Sequence, residues 1–226
     1  MNKKWVISLG GSRIAPEDVD YNFIKKFKEL IDSHPSHKFV VVTGGGTTAR
    51  KYIKALKKLN KNAKKQSLAG IAITRFHAKF LMRIFGKKAN DSLPHTIKKV
   101  AALLKKNQIV FCGALRNRSK QTTDGTSAQI ATSLKCPFIN ITNVKGLYTS
   151  NPKTNKNAKF IPKITWKKFN AITKKIKFKA GQNFVLDQKG AQTILKRKIP
   201  TYIVRSLKSI DNIIKNKKFI GTEISG

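Results

Sequence analysis

Acid is what this chain lacks. Ten Asp and Glu stand against 48 Lys and Arg in 226 residues, a formal net charge of +38. No carboxylate occurs between Asp32 and Asp91. Cysteine is also scarce. Cys112 and Cys136 have no neighbours at metal-ligand spacing, and both flank apolar strand-like runs. A disulfide framework and a zinc finger are excluded, and buried reduced thiols in a cytoplasmic setting are expected. The four histidines, His34, His37, His77 and His95, form no zinc signature. No apolar run approaches the ~20 residues that span a bilayer. The start, Met1 to Trp5, runs directly into a strand-like segment, so no signal peptide and no membrane partner are expected.

Several catalytic signatures are missing as well. There is no G-x-x-x-x-G-K-[ST], no H-R-D or D-F-G, and no G-x-S-x-G. These absences exclude P-loop enzymes, protein kinases and nucleophile-elbow hydrolases. Gly44-Gly45-Gly46-Thr47-Thr48-Ala49 does match G-x-G-x-x-A. The ribose-binding acid expected ~20 residues later is absent, which argues against a nicotinamide enzyme.

What is present centres on residues 39–50. Phe39-Val40-Val41-Val42 reads as a buried strand, three glycines follow, and a helical pattern starts at Thr47. Glycines let a backbone approach a ligand closely, and a helix start offers unpaired N–H groups and partial positive charge. Together they make a phosphate seat. A second corner of this kind, Gly10-Gly11-Ser12, follows the strand Trp5–Leu9.

The rest alternates. Helices are expected over 21–32 (Asp20 as N-cap), from Thr47 with Ala49, Tyr52, Ile53, Leu56 and Leu59 inward, and over 68–84, 94–105, 122–134, 165–173, 189–197 and 206–215. Asn60–Gln66 reads as a lysine-rich loop. Further strands are expected at 108–112, 137–142 and 201–204, with a last edge strand at 219–224. Asn143–Pro162 reads as a long loop of the kind that carries function. The alternation predicts one domain, residues 1–226, with a mainly parallel sheet and helices on both faces. Ligands then sit beyond the carboxyl ends of the strands, where residues 10–11, 44–46, 113, Asp124 and Asn143 all fall. Two phosphate seats, one acid and many cations suit phosphoryl transfer, which needs positioning and charge stabilisation more than covalent chemistry. The lysines are spread over the polar sides of helices, so the charge reads as a basic surface. Salt-sensitive, nonspecific nucleic-acid binding is its expected by-product.

The sequence also resembles the archaeal-type uridylate kinases of the amino acid kinase superfamily. The resemblance rests on Leu9-Gly10-Gly11-Ser12, Thr43–Gly46 with Ala49–Ile53, and Gly70–Arg75. It extends through Thr122-Thr123-Asp124, Thr142-Asn143-Val144 and Gly146-Leu147-Tyr148, so it covers nearly the whole chain in family order. It implies a three-layer α/β/α sandwich and ATP-dependent phosphorylation of UMP, with Mg²⁺ carried on the ATP phosphates and no protein metal site. It also implies a homohexamer. The acceptor part would span about 1–135 and the ATP part about 136–226.

By the same resemblance, Gly10, Gly11 and Ser12 would cradle the transferring phosphate, with Asp124 as the organising acid. Gly46, Arg50, Thr142, Asn143, Tyr148 and Asn151 would serve ATP. Gly45, Ser67, Gln121, Thr122 and Thr123 would serve UMP. The chain departs from the family where Ser8 replaces a phosphate-binding lysine, and where Ser67, Lys145 and Asn151 replace acids. These departures keep two alternatives in view: a nucleotide- or polyanion-binding relative with weakened catalysis, and a related small-molecule phosphate kinase. His77 reads as a structural histidine.

Overall fold

The computed structural model describes residues 3–115, 122–152, 154–175 and 186–226. In chain order the elements are β1 (Lys4–Leu9), α1 (Gly11–Ile14), α2 (Tyr21–Asp32), β2 (Lys38–Thr43), α3 (Gly46–Lys58), α4 (Ala63–Phe85), α5 (Ile97–Lys106), β3 (Ile109–Cys112), α6 (Thr123–Leu134) and β4 (Phe138–Ile141). They continue with β5 (Leu147–Tyr148), β6 (Phe160–Ile161), β7 (Lys163–Ile164), α7 (Trp166–Lys175), α8 (Gln188–Arg197), β8 (Thr201–Val204), α9 (Leu207–Ile214) and β9 (Gly221–Ile224).

Seven strands form one sheet in the order β3-β2-β1-β4-β8-β9-β7. The first five run parallel, and β8 meets β9 antiparallel. A strand buried on both faces needs apolar side chains at every position. In β1 all five residues from Trp5 to Leu9 are buried, and so are Phe39 to Thr43 in β2. Side chains alternate between two cores. Val6, Val40, Val110 and Phe138 face α5, α6, α7 and α8. Ile7, Val41, Phe111 and Ile139 face α2, α4 and α9. Each such buried side chain contributes ~1.5–3 kcal/mol. This is the expected three-layer sandwich. The chain leaves β1 toward β2 and β3 on one side and returns to place β4 on the other. The crevice outside the carboxyl ends of β1 and β4 is therefore the topological switch point, where open α/β sheets bind ligands.

Several expected elements shift. The 60–66 loop is shorter than expected, because the Asn62 side chain accepts from Lys65 N at 3.0 Å and starts α4 at Ala63. Pro94 precedes α5, whose start is set by Thr96 accepting from Lys99 N. Gly10–Ser12 is not a bare turn but leads into α1, a single helical turn. The 219–224 segment is not an edge, since β9 lies between β8 and β7. The 143–162 loop carries the small antiparallel pair β5–β6. On α3 only Ala49 is buried, while Tyr52 and Leu59 of the expected inward stripe are exposed. No helix among the described residues is long and apolar enough to cross a membrane.

Candidate active site

The two glycine corners touch. A Cβ on Gly11 would lie 2.5 Å from Gly44 O and from Gly46 N, and one on Gly46 would lie 2.3 Å from Gly11 C and Ser12 N. Gly46 also takes φ +59, a left-handed conformation that side chains rarely adopt. Gly44 N donates to Leu9 O at 2.8 Å across the β1–β2 pair. The starts of α1 and α3 thus open side by side at the carboxyl ends of two neighbouring strands, and form one continuous backbone surface rather than two separate seats. Arg50, one turn into α3, donates to Thr47 Oγ1 at 3.0 Å and to Ser12 Oγ at 3.4 Å, so one exposed guanidinium bridges both corners.

A second cluster stands at the same edge. Ser8 on β1 and Asn140 on β4 are register partners, and both are buried. Both side chains reach Asp124 in the first turn of α6; Ser8 Oγ donates to Asp124 Oδ1 at 2.6 Å. Crowding by protein pushes the Asp124 carboxyl up to about 6; hydrogen bonds from Ser8 and Asn140 pull it down, and the nearby Asp187 pushes it further up. A carboxyl near 6 is still largely ionised at pH 7. Asp187 caps α8 by accepting from Gly190 N at 2.7 Å. Its other oxygen accepts from Gly125 N at 3.1 Å and from Thr122 Oγ1. One carboxylate thereby ties the starts of α6 and α8 together.

Two supporting residues, Asn140 and Asp187, escaped the sequence reading. Asn140 was signalled only by a polar residue inside the apolar run Phe-Ile-Asn-Ile. Asp187 was signalled only by its place just before a helix. His77, buried on α4, donates from Nδ1 to Gly44 O at 2.8 Å and holds the second corner from below. Its structural reading therefore stands. Thr43 Oγ1 donates to Thr74 O, and Arg75 donates to Ala114 O and Leu115 O. The Gly70–Arg75 segment thus anchors the chain that leads toward residue 116.

The remaining expected residues spread outward. Thr142 and Asn143 leave β4 at the switch point, where Thr142 N donates to Val204 O. Thr123 opens α6 beside Thr122. Ser67 is exposed in the second turn of α4. Tyr148 and Asn151 belong to the β5–β6 segment, which hangs from β9 through Leu147 N donating to Thr222 Oγ1 at 2.7 Å. Tyr148 packs on Phe160 at 5.5 Å. Gln121 lies outside the described residues. Ser8 supplies no cation, and Arg13 instead stacks over Phe23 at 4.5 Å.

Residues 3–205 match the model of the amino acid kinase family. The chain belongs to that family. Within it, the sequence is 36% identical to a uridylate kinase of Thermococcus kodakarensis, over 94% of this chain and 95% of that one. It is 30% identical to a uridylate kinase of Thermoplasma acidophilum, over 99% and 97% of the two chains. The crystal structure of uridylate kinase from Archaeoglobus fulgidus superposes with a TM-score of 0.86 at 31% identity, covering 98% of this chain and all of that one. The family places the touching corners and the Asp124 cluster in a kinase fold.

Proposed function

We propose that the protein transfers the γ-phosphoryl group of ATP to UMP, giving UDP and ADP. The observation that carries this reading is the joined backbone surface of Gly10–Ser12 and Gly44–Gly46 beside Asp124, in a chain aligned end to end with uridylate kinases. Donor and acceptor phosphates would meet over that surface. A UMP phosphate oxygen attacks the γ-phosphorus in line, and the bond to the β-phosphate oxygen breaks. The phosphomonoester is already largely dianionic at neutral pH, so no strong base is needed. Backbone N–H groups of α1 and α3, with Arg50, offset the charge on the moving group. Asp124, held by Ser8 and Asn140, orients the phosphate-bearing loops and repels a misplaced anion.

Gly45, Ser67, Gln121, Thr122 and Thr123 are proposed on the UMP side. Gly11, Ser12, Gly46, Arg50, Thr142, Asn143, Tyr148 and Asn151 are proposed on the ATP side. The acceptor part is proposed to span about residues 1–135 and the ATP part about 136–226, with Gly11, Ser12, Gly46 and Arg50 reaching ATP from the acceptor part. Among the described residues no group of three or more His, Cys, Asp or Glu converges as a metal cage. Mg²⁺ is proposed to arrive on ATP, where it would neutralise phosphate charge.

A homo-oligomer is part of the proposal. Tyr52, Leu59, Leu68 and Phe76 leave large apolar side chains exposed on and between α3 and α4, which a second copy would cover. A cytoplasmic location completes it.

A coupled assay with UMP, CMP, AMP and isopentenyl phosphate tests the reaction. UMP turnover with ATP and Mg²⁺ is expected, and its absence refutes the reading. The second reading, a polyanion binder with weakened catalysis, draws on the hydroxyl at Ser8 and the charge of +38. RNA binding that survives physiological salt without any turnover favours it.

A further inference from the structure

At the edge of the sheet opposite the glycine corners, α6 and α8 end side by side. Each closes on a lysine in left-handed backbone, Lys135 (φ 50) and Lys198 (φ 49). In each a buried apolar residue and a proline follow, Cys136-Pro137 and Ile199-Pro200. The two prolines lead into β4 and β8, which pair in parallel with Phe138 opposite Thr201. Sheet register therefore sets the two helix ends next to each other.

Between them opens a cleft of about 670 Å³. That is the size of a small-molecule site. Its apolar wall is Cys136, Pro137, Ile199 and Pro200, and Lys135, Arg197 and Lys198 stand exposed at its rim. Among the described residues no acid lines it. Two helix C-termini bring roughly half a negative charge each, against three full positive charges, so an anion is still favoured.

We propose that this cleft binds a small organic phosphate with a flat apolar body. The phosphate meets Lys135, Arg197 and Lys198, and the body lies on Ile199 and the prolines. The site has a lever on the catalytic edge. The helices that flank the cleft are the ones whose starts Asp187 ties together, and Asp124 is the second residue of α6. A ligand that moves the helix ends apart strains that tie and shifts Asp124. This coupling rests on the reading of Asp124 as part of the reaction site, whereas the binding does not.

Pyridoxal 5′-phosphate is a suitable probe, because its aldehyde condenses with a lysine amine, water leaves, and borohydride fixes the adduct. The full chain is labelled with the probe alone at a series of concentrations, and the adducts are mapped by mass spectrometry. Saturable labelling of Lys135 or Lys198 ahead of the other lysines is expected. Ser133→Trp, at an exposed position of the cleft wall, and Arg197→Glu should each lower it at least fivefold without changing labelling elsewhere. Labelling spread evenly over the lysines, or indifferent to both variants, overturns the site. The probe should also change kcat/KM of the wild-type protein at least twofold, and not that of Arg197→Glu. Selective labelling with no change in rate overturns the coupling alone, and a protein with no UMP kinase activity still reports on the binding.

Discussion

The two sides of the switch point are made of different material. On the β1–β2 side the proposed recognition surface is main chain, with Gly11 and Gly46 in contact and no room for a side chain. On the far side of β4 it is side chain: Thr142 and Asn143 at a strand end, Tyr148 on a two-residue strand hung from β9. A main-chain surface depends on what is absent, so one added methyl group breaks it. A side-chain surface is assembled from separable contacts, so each loss is partial.

The largest effect should come from Gly46→Ala. The new Cβ would sit 2.3 Å from Gly11 C and Ser12 N, both backbone atoms that cannot yield, at φ +59. Turnover should fall at least ~1,000-fold and stability by about 2–4 kcal/mol, read by assay and thermal unfolding. Gly10→Ala is the control. Its Cβ would meet only Ile141 O at 3.6 Å, an ordinary contact. If both variants behaved alike, the packing of the corners would not be what the glycines serve.

Asp124→Asn comes next, with kcat lower by about 10²–10³-fold and the fold intact. Here pH gives a second reading. The carboxyl is pushed up from its ordinary 3.8 to about 6, chiefly by burial. The folded state therefore holds this proton more tightly than the unfolded chain does. Stability from this group is full below pH 3.8 and is lost as pH rises toward 6. The loss is at most about 3 kcal/mol, less what solvent contact screens. Asp124→Asn should flatten that part of a stability–pH curve. Activity should run the other way, rising through pH 6 as the carboxylate forms. An unchanged stability slope in the variant would remove the raised pKa from the account.

Asp187→Ala should cost less, about 10-fold in kcat. It removes the acceptor for Gly190 N, Gly125 N and Thr122 Oγ1, and cap losses of this kind cost ~0.5–2 kcal/mol. Addition of Thr122→Val should then do little more, because both act through one tie. Fully additive losses would show that Thr122 has a separate task.

How much of this was legible in the sequence follows the same division. Gly10–Ser12 and Gly44–Gly46 stood out because glycine after a β-branched run has few other uses. Asp124 stood out as the acid of a helix start in a chain nearly empty of acid. Asn140 did not, since its partner Asp124 comes from a distant part of the chain, and for His77 the structural reading was legible but the Gly44 carbonyl it holds was not. β7 and the β5–β6 pair did not, because two residues show no period. Tyr52 and Leu59 misled, because helical spacing marks an apolar face but not whether the same chain covers it.

The smallest effect should come from the side-chain side. Thr142 Oγ1 makes only an exposed 3.5 Å contact with Asn143 Oδ1, while the Thr142 backbone is held by the sheet through Val204 O. Thr142→Ala leaves that backbone in place and removes one hydroxyl that ATP would use. One such hydrogen bond is worth ~0.5–1.5 kcal/mol, so KM for ATP should rise roughly two- to tenfold. Neither kcat nor the KM for UMP should move, and the unfolding midpoint should stay within about a degree. Steady-state kinetics with each substrate varied in turn reads all three. A kcat loss near that of Asp124→Asn would mean that the far side of β4 also works through fixed main chain, and the contrast between the two sides would be gone.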